Sequence, residues 1–265
     1  MFERLRREHG VRSVLAHNMT VTPRNVGEVS EVVRACRRMG FRILSFQPAA
    51  FVGNPSRWRD DYRALSPDDV WAEVERGAGM RLPHGIVQVG DERCNRTAYG
   101  ILVGDRWVPA LDDRVRADHG ARDAFFKVFR GVDLTGPRAL VVVRVSRALV
   151  RHPRTLPIGA LWALRFVLRA GPLRLLRHGA RPLTFVMHFF MDAAVVRPAW
   201  EALQLGERSE DPQVLAAQER LEACSYAMAH PDSDMLVPAC VQHGVLDPEA
   251  NQDLARLLPL ATALE

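Results

Sequence analysis

HNMTVTPRNVGEVSEVVRACRRMGFRILSFQP, residues 17–48, decides the fold class. An apolar segment within Val11–Met19 leads into the polar run HNMTVT. An N-x-x-E pair, Asn25 and Glu28, then stands before the stripe Val26, Val29, Val32, Val33 and Cys36, whose spacing predicts an amphipathic helix. Gly40 ends that helix, and Phe41–Phe46 is again apolar enough to enter a sheet. The unit is strand, helix, strand. Its polar residues His17, Asn18, Thr20 and Thr22, then Ser45 and Gln47, fall where the two strands are expected to end. In parallel α/β architectures those carboxyl ends hold the ligand, which makes His17, Asn18, Thr20 and Gln47 candidate cofactor contacts.

Working outward, Ser66 and Asp69 form a capping box with Pro67 at the first helical position, so a helix follows with Val70, Trp71 and Val74 inward. Residues 85–116 change to short β-like pieces, with a hairpin expected around Gly104-Asp105. Residues 117–130 read as a helix, and Ala139–Val145 as a strand because VVVRV is β-branched and almost continuous. Residues 157–178 read as two basic amphipathic helices broken at Gly171-Pro172. They are connectors over the sheet or a surface for a lipid or partner chain. LTFVMHFFMDA, 183–193, is a further strand ending on His188 and Asp192, and helices are expected at 212–229 and from Asp247-Pro248.

At 265 residues the chain can bury a core without staples, and its 48% hydrophobic and 25% charged residues are ordinary for a globular protein. Net charge is +5, a mild excess that identifies no partner. The start, MFERLRREHG, has no apolar signal core, and no apolar run approaches the roughly 18 residues of a spanning helix. The expectation is a cytoplasmic protein, able to sit peripherally at a membrane. Phosphate-loop, dinucleotide, nucleophile-elbow and calcium-loop motifs are absent from the sequence, as are zinc-finger and RNA-binding signatures, so no specific nucleic-acid partner is expected.

Four cysteines carry the remaining chemistry. Cys36 lies on the apolar stripe and reads as a buried thiol. Cys94, Cys224 and Cys240, with His243 three residues beyond the last, form a soft donor set for zinc or an iron–sulfur cluster, although no C-x-x-C pair supports it. Ordinary thiols are the plain alternative; Leu221, Cys224 and Met228 would share a helical face. His188 with Asp192 is the nearest imidazole–carboxylate pair at a strand end, a candidate acid–base couple for a zinc-dependent or cofactor-free α/β enzyme.

HNMTVTP and SFQP, followed by DERCNRTAYGILVGDRWVPALDD, MHFFMDA and CSYAMAHPDSDMLVPACVQHG, resemble the later part of the radical S-adenosylmethionine proteins. The similarity is to the branch of tetraether-lipid-synthase-like proteins, and it covers roughly residues 1–260. It implies the later strands and helices of a partial TIM-like (β/α) barrel over 1–84, a cysteine-containing β elaboration over 85–116, and further α/β and helical sequence over 117–265. It also implies S-adenosylmethionine and a [4Fe–4S] cluster in a complete system, reductive cleavage of the sulfonium, hydrogen abstraction and an electron donor. A lipid-like substrate would enter along 157–178, its acidic headgroup attended by Arg154, Arg165, Arg169, Arg174 and Arg177. Cys94, Cys224 and Cys240 would match an auxiliary cluster or zinc site, with His243 beside them. The radical-generating C-x-x-x-C-x-x-C is not in the sequence, so the resemblance implies either an N-terminal complementing chain or segment, or a non-catalytic partner subunit.

Overall fold

The computed structural model describes residues 2–11, 13–53, 58–230 and 236–248. Short helix α1 (Phe2–His9) precedes β1 (Ala16–Val21), α2 (Val29–Met39) and β2 (Ile43–Pro48), the unit expected from residues 17–48. Helix α3 (Pro67–Ala78) begins in the predicted capping box: Ser66 Oγ accepts from Asp69 N and the Asp69 carboxylate accepts from Ser66 N at 3.0 Å. Strands β3 (Asn95–Val103) and β4 (Arg106–Pro109) form the hairpin. Helices α4 (Arg116–Phe129), α5 (Arg138–Arg151), α6 (Leu156–Ala170) and α7 (Pro172–His178) follow, then β5 (Arg181–His188), α8 (Ala193–Leu205) and α9 (Pro212–Glu222). A two-stranded ribbon of β6 (Ala227–Ala229) and β7 (Leu236–Pro238) leads into α10 (Ala239–Val241) and a π-turn over Gln242–Leu246.

The main sheet has the order β1-β2-β5-β3-β4, with β1, β2 and β5 parallel and the β3–β4 hairpin running antiparallel to β5 along β3. It takes strands from each of the spans 1–84, 85–116 and 117–265. The class is mixed α/β. β1 and β4 are edges, so the described residues contain no closed barrel.

One face of the sheet is the core. Val21, Leu44, Phe46, Ala98, Leu183, Phe185 and Met187 point to it and pack against Val29, Val33 and Cys36 of α2 and Val70, Trp71 and Val74 of α3. α2 and α3 cross closely because Gly77 has no side chain: a Cβ there would stand 2.6 Å from Val33 Cβ and 2.7 Å from Ser30 O. A second core joins α8, α9 and α10 around Val196, Ala199, Leu221 and Val241.

Three local expectations change. Ala139–Val145 is helical inside the 14-residue α5, which buries Ala148 and half-buries Val141, Val145 and Leu149 along one side; that packing overrides the β preference of VVVRV. Asn25 caps no helix with its side chain: its Oδ1 accepts from Thr22 N at 2.8 Å and its Nδ2 donates to Thr20 O at 3.1 Å, and α2 starts at Val29 after a 3-10 turn. The helix expected over 212–229 stops at Glu222, so Cys224 and Met228 lie beyond it. Of the final helix only Asp247 and Pro248 are described; residues 249–265 lie outside the described residues. Among the described residues no single helix is long and apolar enough to cross a membrane.

Candidate functional site

Alternation along each strand places the second sheet face opposite the core. Asn18 pairs with Ser45 and Thr20 with Gln47, Ser45 with Val186, and Val186 with Thr97, while Asn95 pairs with His188. All are half-buried or exposed. Among the described residues this face is polar and open, with α6 and α7 covering its hairpin end, where Ile101, Val103 and Val108 meet Phe166, Ala170 and Leu175. Asn18, Thr20 and Gln47 therefore share one surface with His188. His17 does not. It alternates with Met19 and Val21 onto the core side, with its ring 6.1 Å from both Phe41 and Phe46, its Nδ1 buried and without a partner, and its pKa lowered by burial. His17 is therefore half-buried on the core side of the sheet, off the open face, and it lies near the start of β1 rather than at its end.

At the carboxyl edge of the parallel strands lie two adjacent cavities that share Phe189 and Phe190. The smaller, about 30 Å³, is lined by Cys94, Cys224, Cys240, His188 and Tyr226. Cys94 precedes β3, which runs antiparallel to β5, so its strand begins where β5 ends; Cys94 O accepts from Phe189 N at 2.9 Å. Cys224 follows α9, with its thiol donating to Tyr226 O at 3.3 Å. Cys240, in α10, is brought in when Ala239 N donates to Tyr226 O at 2.9 Å. Three thiols far apart in the chain thus converge.

Two N–H groups aim at these sulfurs. Arg220 Nε donates to Cys94 Sγ at 3.3 Å, and Met191 N to Cys240 Sγ at 3.5 Å. Burial nevertheless pushes the Cys240 thiol up to about 11, because the Met191 amide and the Arg220 guanidinium only partly offset the desolvation of a thiolate. His188 stacks on Tyr226 with ring centroids 4.7 Å apart, and burial lowers its pKa. Among the described residues no three His, Cys, Asp or Glu side chains already stand close enough to hold one metal ion. The donor chemistry suits a thiophilic metal or cluster, but the sulfurs would have to adjust to it.

His243 does not line this cavity. Its Nδ1 is 2.8 Å from Asp247 Oδ2, and its ring stands edge-on to Phe190. The imidazole at the thiols is His188, and strand alternation in LTFVMH was the signal for it: Leu183, Phe185 and Met187 face the core, so His188 faces the other way.

The larger cavity, about 300 Å³, is lined by the loop after β2, Arg63, Arg93, Arg220 and Asp192. Asp192 Oδ1 accepts from Phe51 N at 2.8 Å, its Oδ2 is 3.7 Å from Arg63, and Ala193 N donates to Phe51 O at 2.9 Å. Asp192 thus ties the β2 and β5 loops together. It makes no hydrogen bond to His188, and the two side chains border different cavities. An acid–base couple of this pair is not formed in the structure.

A third cavity shares no lining residue with these two. It measures about 590 Å³, is almost wholly apolar, and lies between α4, α5 and α6, where Phe125, Phe126, Phe129, Leu149 and Trp162 line it together with Tyr99. Tyr99 is on the open sheet face, paired with Thr184 four residues before His188, so the cavity meets that face about 13 Å from His188 at a strand rise of about 3.3 Å per residue. No family model matches the chain, and no curated protein matches its sequence.

Proposed function

We infer that this chain is the later portion of a radical S-adenosylmethionine enzyme, its sheet part of an open (β/α) barrel, and that Cys94, Cys224 and Cys240 hold an auxiliary iron–sulfur cluster. The observation that carries this reading is the convergence of those three thiols on one cavity at the carboxyl ends of the parallel strands. A bound cluster supplies one-electron transfer. The chain's own residues do the rest: Arg220 and the Met191 amide donate to sulfur, and Phe189 and Phe190 wall the site from the arginine-lined cleft.

The chain's four cysteines do not provide the three-cysteine motif of a radical-generating cluster, so no step is derived through that cluster. The reading requires a complementing segment or chain that carries it, an electron donor, and a reducing, cytoplasmic setting. Asn18, Thr20 and Gln47 supply polar contacts on the open face for S-adenosylmethionine. The apolar cavity beside Tyr99 suits a lipid-like substrate whose reacting end extends along that face toward His188.

A second reading, a zinc site formed by the same thiols with His188, draws on the size of the cavity: about 30 Å³ takes one ion, whereas a cubane needs the thiols to move outward. Anaerobic reconstitution followed by iron, sulfide and zinc analysis separates the readings. Iron with matching sulfide in the parent and in Cys36→Ala, lost in Cys94→Ala, Cys224→Ala and Cys240→Ala, supports the cluster. Zinc without sulfide supports the second reading. A folded chain that retains neither overturns both.

A further inference from the structure

From Leu134 to Met191 the sequence contains ten arginines and no lysine, aspartate or glutamate. The remainder carries 26 Lys and Arg against 31 Asp and Glu, so a +10 segment is joined to a body of net charge −5. That segment is α5, α6, α7 and β5.

Its helices are also turned against the usual rule. α6 directs Trp162, Arg165, Phe166 and Arg169 inward; Arg165 and Arg169 reach the fully buried carboxylate of Asp118 at 3.2 and 2.7 Å. Outward it presents Leu161, Leu164 and Leu168, at spacings of three and four, 53%, 57% and 61% exposed. α7 adds Leu173 and Leu176 at 70% and 84%. Arg147 and Arg151 on α5, Arg154 in the turn before α6 and Arg177 on α7 are exposed and make no ion pair among the described residues. α6 with its preceding turn and α7 meet at a 71° bend; only together are they apolar and long enough to pass for a membrane span. A bent, leucine-faced pair with an arginine rim is the pattern of a helix layer lying in a lipid interface.

We propose that the α5–α7 layer docks this protein onto an anionic bilayer, the leucines entering the acyl boundary and the exposed arginines lying among headgroup phosphates. Charge chooses the occupant. A second copy joined by a two-fold axis would bring the exposed, unpaired arginines of one layer against those of the other, whereas an anionic leaflet complements both the cations and the apolar face. The proposal rests on this surface and not on the thiol site, so either can fail without the other.

The test is flotation of the full chain with vesicles of phosphatidylcholine alone, or with about 30 mol% phosphatidylglycerol. Flotation with the anionic vesicles and not the neutral ones is expected, with release at roughly 0.5 M salt. Arg147→Gln, Arg151→Gln and Arg154→Gln should each lower vesicle affinity about fivefold. The triple variant Leu161→Ser, Leu164→Ser, Leu168→Ser should abolish flotation while retaining the parent's circular dichroism. Should that variant misfold, hydrogen exchange of the parent decides: vesicles should slow exchange of α5–α7 amides. Absence of anionic-vesicle binding, binding insensitive to the arginine changes, protection confined to other elements, or a dimer that buries these leucines and excludes vesicles each overturns the proposal.

Discussion

α2 and α6 both carry arginines beside an apolar stripe, yet they differ in what they turn inward. α2 buries Val29, Val33 and Cys36 against the sheet and leaves most of its charge near the surface. α6 buries its arginines' contacts with Asp118 and leaves leucines outside. The difference teaches that periodicity identifies a helix with two faces but not which face turns inward. For α6 the choice rests with a carboxylate on another helix: Asp118 of α4 is fully buried and can stay charged there only with cationic partners, and its Oδ2 also accepts from Asp112 N at 2.9 Å.

The comparison can be broken by substitution. On the α2 side, Phe46→Ala removes a fully buried ring and should cost about 3–5 kcal/mol in chemical denaturation. On the α6 side, Asp118→Ala should cost about 3 kcal/mol, at the low end for a broken buried pair because Arg165 and Arg169 remain a quarter exposed and can reach water. If Asp118→Ala were neutral, the account of why α6 is turned would fail. Gly77→Ala forces α2 and α3 apart and should cost about 1–3 kcal/mol. The outward leucines set the other limit: Leu164→Ser should change stability in water by less than about 0.5 kcal/mol, since the side chain is 57% exposed.

The thiol site adds effects that are read from pH. His188 is held below its ordinary pKa by burial, so below about pH 6.5 the unfolded chain binds more protons than the folded one. Stability is then lost as pH falls, and His188→Gln should flatten that part of the profile. Cys240 has the opposite sign. Its thiol, raised to about 11, keeps its proton in the folded chain while the unfolded chain loses it, so metal-free stability should fall between about pH 9 and 11, and Cys240→Ser should remove that decline.

Much of the fold was legible. The capping box at Ser66, the Gly40 stop, the Gly104-Asp105 hairpin and the break before Pro172 are each set by a few neighbouring residues, and each forms as read. The failures share a cause. VVVRV has a β-branched composition but becomes helix because α5 packs against α4 and the connecting turns. His17 was grouped with Asn18, yet adjacent residues on a strand face opposite sides. His243 was attached to Cys240 by proximity in sequence, whereas the chain turns it toward Asp247 and Phe190.

The sequence by itself determined most of the elements, though not α5 or the end of α9, together with the buried Cys36 and the presence of three further cysteines outside any regular metal motif, because helix caps, glycine stops and side-chain periods act over a few residues. Only the tertiary structure decided that β5 lies between β2 and β3, that the face bearing Asn18, Gln47 and His188 is open among the described residues, and that Cys94, Cys224 and Cys240 line one cavity with His188. Those outcomes depend on pairings between residues tens of positions apart, whose energies come from burial and register shared across the whole sheet.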